Sequence, residues 1–256
     1  SNPVLEPAPA SMSEGTTPSE GSTRTVGIVM NGVTGRMGTN QHLLRSIVPI
    51  IEAGGVAVGP EERVLPRPVL VGRNARKLEA LAERTGIDRW TTDVDEALAD
   101  PENEVYFDAQ ITELRHPSVK KAIEAGKHIY CEKPSGQTVE EAVELYELAE
   151  DRGVQHGIVQ DKLWLPGIQK LRTLLDTGFF GEVLSVKGDF GYWVFEGDIV
   201  TPNRPSWNYR EEDGGGMILD MFPHWQYLLE NLFGQVQAVS CLGTTHIPTR
   251  RDEDGE

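Results

Sequence analysis

The sequence predicts an α/β protein in which a parallel sheet covered by helices on both faces is followed by a second half of α+β character. Three observations carry this. An apolar run ends in a glycine-spaced turn that opens an apolar-periodic helix; strand and helix patterns then alternate as far as Gln160; beyond it the alternation gives way to longer strands and helices. With 256 residues, the chain is long enough for one large domain or two modest ones to bury a core without disulfide or metal staples. Its apolar share of 38% and 27 glycines fit neither a largely disordered nor a collagen-like chain.

Residues 1–23 are rich in Ser, Thr, Pro, Glu and Gly and read as a disordered tail, because ordering them would cost entropy that no burial returns. A dinucleotide-binding half then spans residues 24–160. Val26 to Met30 forms the first strand, Asn31 to Gly38 the turn, and Leu43 to Ile51 the apolar-periodic part of the first helix. Pro68 to Val71 reads as the second strand, and Asn74 caps a helix that buries Leu78 and Leu81. Val105 to Ala109 is a strand, Pro117 to Ala125 a helix closed by Gly126, and His128 to Cys131 another strand. Thr138-Val139-Glu140-Glu141 is a capping box opening a helix that ends near Gly153, before a strand from Val154 to Val159.

Residues 161–256 hold a helix over Gly167 to Leu175, a strand over Val183 to Phe195, a helix over Gly215 to Leu232 and a strand over Val236 to Leu242. Two strands make a poor sheet on their own, so this half is expected to be partial or to borrow sheet from elsewhere. The segment Glu52 to Arg67 is an insert without an assigned role, and the chain has no internal repeat.

Composition narrows the function. The formal charge of −16 repels a phosphate backbone, which argues against nucleic acid and anionic membrane as partners. No apolar run reaches the roughly 20 residues needed to span a bilayer, and the N-terminus lacks a secretory pattern, so a soluble cytoplasmic protein is expected. Cys131 and Cys241 have no metal-ligand spacing and read as buried thiols; no metal is expected.

Four segments can carry chemistry. Gly32, Gly35 and Gly38, with Thr34, Arg36 and Met37 between them, form a GxxGxxG turn that suits a pyrophosphate at a helix N-terminus; the competing reading is a tight structural turn. The second strand ends in Arg73-Asn74 with no carboxylate at its tip, so Arg73 favours NADP(H), NAD(H) being the other option and a solvated loop arginine the bland one. Cys131-Glu132-Lys133-Pro134 ends a strand where ligands of open sheets bind, so Lys133 can steady a developing alkoxide, a surface lysine being the bland reading; Glu132 and Lys133 also join the cofactor-binding set, and Pro134 suits a cis peptide. Asp220 and His224, at i and i+4, share a helix face on which the carboxylate would orient the imidazole as a general base; on spacing alone an ordinary side-chain pair is the stronger reading. Pro223 is expected to kink or restart that helix around Leu219.

Taken in order, these residues resemble the glucose-fructose oxidoreductase/inositol dehydrogenase (Gfo/Idh/MocA) oxidoreductases. The resemblance runs from Val26 to Gly234 through the glycine turn, Glu-Lys-Pro followed by Thr-x-x-Glu, Leu175-Asp176-Thr177-Gly178, Gly181-Glu182-Val183, Ser206-Trp207, the triplet Gly214-Gly215-Gly216 and Asp-x-x-x-His. It implies a Rossmann domain, an α+β domain with an open sheet used for homo-oligomer contacts (dimer or tetramer), and an active site between them. By matching motifs, Lys133 binds the substrate hydroxyl, His224 is base or acid, Asp220 supports it, and His116 lies near the nicotinamide. The chain departs from the family at Gln110 to Arg115, where a proline-containing turn is common, and members usually run longer. Trp193, Phe195, Trp207, Tyr209 and Trp225 suit the apolar faces of a sugar or polyol, with core packing as the rival role, and Trp207 and Tyr209 join the substrate-binding set.

The expected activity is hydride transfer between a nicotinamide cofactor and a secondary alcohol or ketone of a sugar, polyol or related small molecule. The alternatives are a non-catalytic dinucleotide-binding regulator on the same fold and, further behind, a dihydrodipicolinate-reductase-like enzyme suggested by Gly35-Arg36-Met37-Gly38.

Overall fold

The computed structural model describes residues 22–190, 210, 215–245 and 248–249. The expected tail through residue 21 lies outside them, as do Trp193, Phe195, Ser206, Trp207, Tyr209 and Gly214. Ser22 and Thr23, read as tail, instead begin strand β1 (Ser22–Asn31). A π-helical stretch, Gly38–Ile47, follows and runs into α1 (Val48–Glu52).

The Glu52 to Arg67 insert now has a structure. A turn at Gly54 and Gly55 leads to β2 (Val56–Ala57), which pairs antiparallel with the front of β3 (Glu62–Val71). Arg63 clips the turn by donating to the carbonyls of Ala53, Gly54 and Gly55. Pro66 and Pro68 sit inside β3 without harm to the sheet. Backbone groups alternate sides along a strand, and the amide of Leu70, of the same parity, points away from β1 to the Arg89 carbonyl. The two missing amides therefore face the gap between β2 and β4 (Trp90–Thr91).

Helix α2 (Ala75–Thr85) is capped by Asn74, whose Oδ1 accepts from the Lys77 amide, and closed by a left-handed Gly86. A short α3 (Val94–Ala99), capped by Asp93, precedes β5 (Asn103–Asp108); neither α3 nor β4 has enough apolar periodicity to be read from sequence. Helix α4 (Thr112–Glu124) begins earlier than expected, with Pro117 inside it. Then come β6 (His128–Cys131), α5 (Val139–Arg152) capped by Thr138, β7 (His156–Ile158), a 3-10 turn at Asp161–Trp164, α6 (Pro166–Asp176) and α7 (Met217–Phe233).

The sheet runs β2-β3-β1-β5-β6-β7, with β4 beside β3; every pair but β2 with β3 is parallel. Successive residues feed opposite cores. Val29, Val69, Val71 and Tyr106 pack with Val119, Ile123 and Leu145 of α4 and α5, while Met30, Leu70 and Phe107 pack with Leu43, Leu78 and Leu81. The order reverses between β1 and β5, so the crevice for a ligand opens at the carboxyl ends of those strands.

Three expectations are corrected beyond β7. Residues 183–190 and 236–242 form no ladder among the described residues, and their apolar side chains, Leu184, Val239 and Leu242 among them, stay exposed. A strand needs a neighbour, and no described segment supplies one here. Cys241, on that uncovered segment, is exposed rather than buried, whereas Cys131 is buried as expected. Helix α7 runs unbroken through Pro223. No helix among the described residues is long and apolar enough to cross a membrane.

Two glycines should respond oppositely to alanine. A Cβ at Gly38 would meet the Gly32 carbonyl oxygen at 2.5 Å and Val33 Cα at 2.9 Å, both backbone, so Gly38→Ala should cost about 1–3 kcal/mol in urea unfolding. A Cβ at Gly167, in α6, meets nothing within 4 Å among the described residues, so Gly167→Ala should be neutral or stabilising by up to about 1 kcal/mol.

Candidate active site

The site is assembled at the crevice from four chain segments. The first is the glycine turn, whose three glycines have different reasons to be glycine. Gly32 adopts φ +80° and would drive a Cβ to 2.7 Å from the backbone of Ala109 and Gln110; Gly38 is held by the contacts given above. Gly35 is exposed, and among the described residues an added Cβ would meet only the Gly32 oxygen, at 3.3 Å. Internal packing therefore accounts for Gly32 and Gly38, while Gly35 leaves backbone open to a ligand at the positive end of the first helix. Thr34 lies against Gly72, where a Cβ would come within 3.2 Å of its Oγ1, so the turn and the exposed Arg73 share one rim. Arg36 is exposed beside them, Met37 is partly buried at the helix start, and Asn74 is engaged as the cap of α2. These features fit a dinucleotide.

The second segment follows β5. Asp108 is fully buried and accepts from Arg115 Nε at 3.1 Å, from the Tyr106 hydroxyl at 3.0 Å and from the Gln110 amide at 3.1 Å. Burial pushes its carboxyl upward, against the pull of the Arg115 guanidinium. Arg115 also donates to the carbonyls of Gln110 and Pro134, so it ties the loop after β5 to the loop after β6. His116 is directed elsewhere: its Nε2 lies 2.9 Å from Glu144 of α5.

The third segment is Glu132-Lys133-Pro134, with a cis peptide before Pro134. Glu132 Oε1 lies 2.6 Å from His42 Nε2 on the π-helical stretch, and its Oε2 accepts from the Lys133 amide at 3.2 Å. Burial works against the Glu132 charge, but the hydrogen bond and charge of His42, with Arg115 and the Lys133 amide, outweigh it and hold the carboxyl below its usual range. The His42 ring packs on Phe107 with centroids 4.6 Å apart. Lys133 Nζ reaches α7, where it donates to the backbone oxygen and to Oδ1 of Asp220, each at 2.7 Å. Both side chains are largely buried, at 16% and 14% exposure.

The fourth segment joins α7 to the 3-10 turn after β7. His224, one turn beyond Asp220, is buried, and its Nδ1 lies 2.7 Å from the Tyr227 hydroxyl and 3.8 Å from Asp161 Oδ1. The Asp220 carboxylate is thus engaged with Lys133, and the side chains beside Nδ1 of His224 are Tyr227 and Asp161. Sharing a helix face did not make Asp220 and His224 a pair, because a full ammonium holds a carboxylate more strongly than a neutral imidazole does. Burial pushes the His224 pKa down, as do the Lys133 and Lys162 ammonium groups, while Asp161 and Asp220 oppose them. Trp225 packs edge-on against Phe190, with centroids 4.6 Å apart.

Sequence reasoning brings Lys133, Asp220 and His224 to one place and misses four residues there: His42, Arg115, Asp161 and Tyr227. Asp161 had a signal, since it follows the carboxyl end of a parallel strand. Nothing in the sequence joins His42 to a carboxylate 90 residues away.

Comparison with known proteins fits this architecture. Residues 67–159 match the model of the oxidoreductase family with an NAD-binding Rossmann fold, and residues 168–255 match the GFO/IDH/MocA C-terminal domain. The chain belongs to the Gfo/Idh/MocA oxidoreductase family. A member from Paenarthrobacter nicotinovorans, D-xylose dehydrogenase, is 54% identical over 234 residues, which make up 91% of this chain and 60% of the relative. Levoglucosan dehydrogenase of Pseudarthrobacter phenanthrenivorans is 28% identical over 191 residues, 74% of this chain and 48% of that one. A solved levoglucosan dehydrogenase in complex with NADH and levoglucosan superposes with a TM-score of 0.70 at 26% identity, covering 90% of this chain and 59% of that one. The chain thus spans about half to three-fifths of the Gfo/Idh/MocA relatives named here.

The His42–Glu132 pair makes a testable contribution to stability. A carboxyl held below its usual range stabilises the fold fully above the ordinary glutamate range, and this is lost as pH falls through the lower folded value. His42→Ala should therefore cost about 1–3 kcal/mol in urea unfolding at pH 7, and the difference from the parent should shrink as acid protonates Glu132.

Proposed function

We propose that this protein is a nicotinamide-dependent dehydrogenase that oxidises a secondary alcohol of a sugar or polyol, an aldose such as D-xylose foremost, or reduces the matching carbonyl. One observation carries the reading. Lys133 Nζ is seated on Asp220, a single turn of α7 from the buried His224, so an ammonium lies near enough to an imidazole to act on its charge, beyond the carboxyl ends of the parallel strands. An ammonium has three donors, and two are spent on Asp220; the third is available to a carbinol oxygen. As that oxygen gains negative charge, Lys133 stabilises it, and Asp220 holds the ammonium in place. His224, kept neutral by burial and by the neighbouring ammonium groups, accepts the hydroxyl proton. The bound nicotinamide would supply the hydride acceptor.

Within this reading the cofactor half is residues 24–160 and the substrate half begins at residue 161. The glycine turn, with Gly32, Thr34, Gly35, Arg36, Met37 and Gly38, holds the pyrophosphate. The absence of a carboxylate at the β3 tip and the exposure of Arg73 support NADP(H) over NAD(H). Glu132, bound to the helix after the turn through His42, joins the cofactor side to the Lys133 loop. The exposed apolar residues Leu184, Val239 and Leu242 support a further layer over the second half and a homo-oligomer, dimer or tetramer, built there.

Oxidation of D-xylose and a panel of aldoses and polyols, each with NADP and with NAD, tests the proposal. Lys133→Ala should retain cofactor affinity and lose turnover by roughly 10²- to 10³-fold. In the oxidative direction kcat/KM should rise with pH through a value below the ordinary histidine range, because the His224 pKa is lowered. Cofactor binding without oxidation of any alcohol would favour a non-catalytic regulator.

A further inference from the structure

A single phenol, that of Tyr227, lies against His224 and bears on which of its nitrogens carries the proton. The Tyr227 hydroxyl has one hydrogen to give and two lone pairs to fill. Three groups surround its oxygen: the Lys162 backbone amide at 3.2 Å, Asp161 Oδ1 at 3.3 Å and His224 Nδ1 at 2.7 Å. The amide can only donate, so it fills one lone pair. An ionised carboxylate can only accept, so the Tyr227 hydrogen goes to Asp161. What is left for His224 is the second lone pair, and Nδ1 can satisfy it only as N–H.

We propose that Tyr227 and Asp161 are positioning residues that hold His224 as its Nδ1–H tautomer, leaving Nε2 as the lone-pair nitrogen that takes the substrate proton. The opposite tautomer would turn the Tyr227 hydrogen toward Nδ1 and leave the Asp161 carboxylate facing a phenol lone pair. The ionisation of both partners agrees. Burial opposes the Asp161 charge, but Lys162, His224 and Tyr227 outweigh it and lower its pKa, while burial, with Asp161 nearby, pushes the Tyr227 phenol up so that it keeps its proton. When His224 accepts a proton at Nε2, its Nδ1–H stays on Tyr227, whose dipole is aligned by Asp161, and the carboxylate 3.8 Å away offsets the new charge. Lys133 and Lys162 act on the same ring in the opposite sense, and Asp220 in the same sense as Asp161.

The inference rests on His224 being the base of the proposed reaction, and its test is separable from that reading. Nitrogen-15 spectra of histidine-labelled protein, with the His224 signal assigned by its loss in His224→Gln, report the tautomer without turnover. The expected result is Nδ1–H in the parent protein and loss of that preference in Tyr227→Phe. An Nε2–H signal in the parent, or an unchanged tautomer in Tyr227→Phe, overturns the proposal even if the enzyme oxidises sugars. A protein with the Nδ1–H signal but no dehydrogenase activity sinks the functional reading and leaves the tautomer assignment standing. In the active enzyme, Tyr227→Phe should lower kcat about 10- to 100-fold with KM and cofactor affinity little changed. Asp161→Asn, in the half-exposed 3-10 turn, guards against a folding defect at position 227. Removing a charge that raises the His224 pKa should move the rising limb of kcat/KM to lower pH, and an unmoved limb would remove Asp161 from the role.

Discussion

The ammonium of Lys133, held by the carbonyl and the carboxylate of Asp220, is the interaction on which the site depends, because it joins the end of a parallel strand to a helix 87 residues further along. A largely buried ion pair of this kind adds little net stability, since desolvation offsets most of the attraction, but it is costly to break from one side. Its contribution is positional. It sets where α7 meets the crevice, and so where His224 lies relative to the glycine turn.

Around this pair, the two loops at the crevice are braced from beneath. Arg115, itself held by the fully buried Asp108, donates to the loops after β5 and β6 together, so neither can shift without breaking a buried charged hydrogen bond. Glu132 braces the lysine loop from the side by binding His42, on the helix that the glycine turn opens. Side chains locked in this way hold the groups around the crevice in fixed positions. They also make the glycine-turn and Lys133 sides of the crevice mechanically one unit.

Much of the first half was legible because its signals are local. Strand, glycine turn and helix follow from period and punctuation, and the caps Asn74 and Thr138 lie where side-chain chemistry places them. The extent of β3 was not legible, since Pro66 and Pro68 argue against a strand unless the neighbouring edge is known to be vacant at those residues. Residues 183–190 and 236–242, the described parts of two expected strands, show the converse: a strand-like pattern is only a candidate until another segment pairs with it.

By itself the sequence determined the parallel α/β start and the glycine turn, because strand ends and glycine spacing are set by neighbours a few positions apart; Lys133, Asp220 and His224 stood out together only through the family resemblance. Tertiary structure decided the pairings. It gave Asp220 to Lys133, gave His224 to Tyr227 and Asp161, gave Glu132 to His42 and sent His116 to Glu144, because hydrogen-bond partners distant in the chain are chosen by distance and charge in space, which no local pattern encodes.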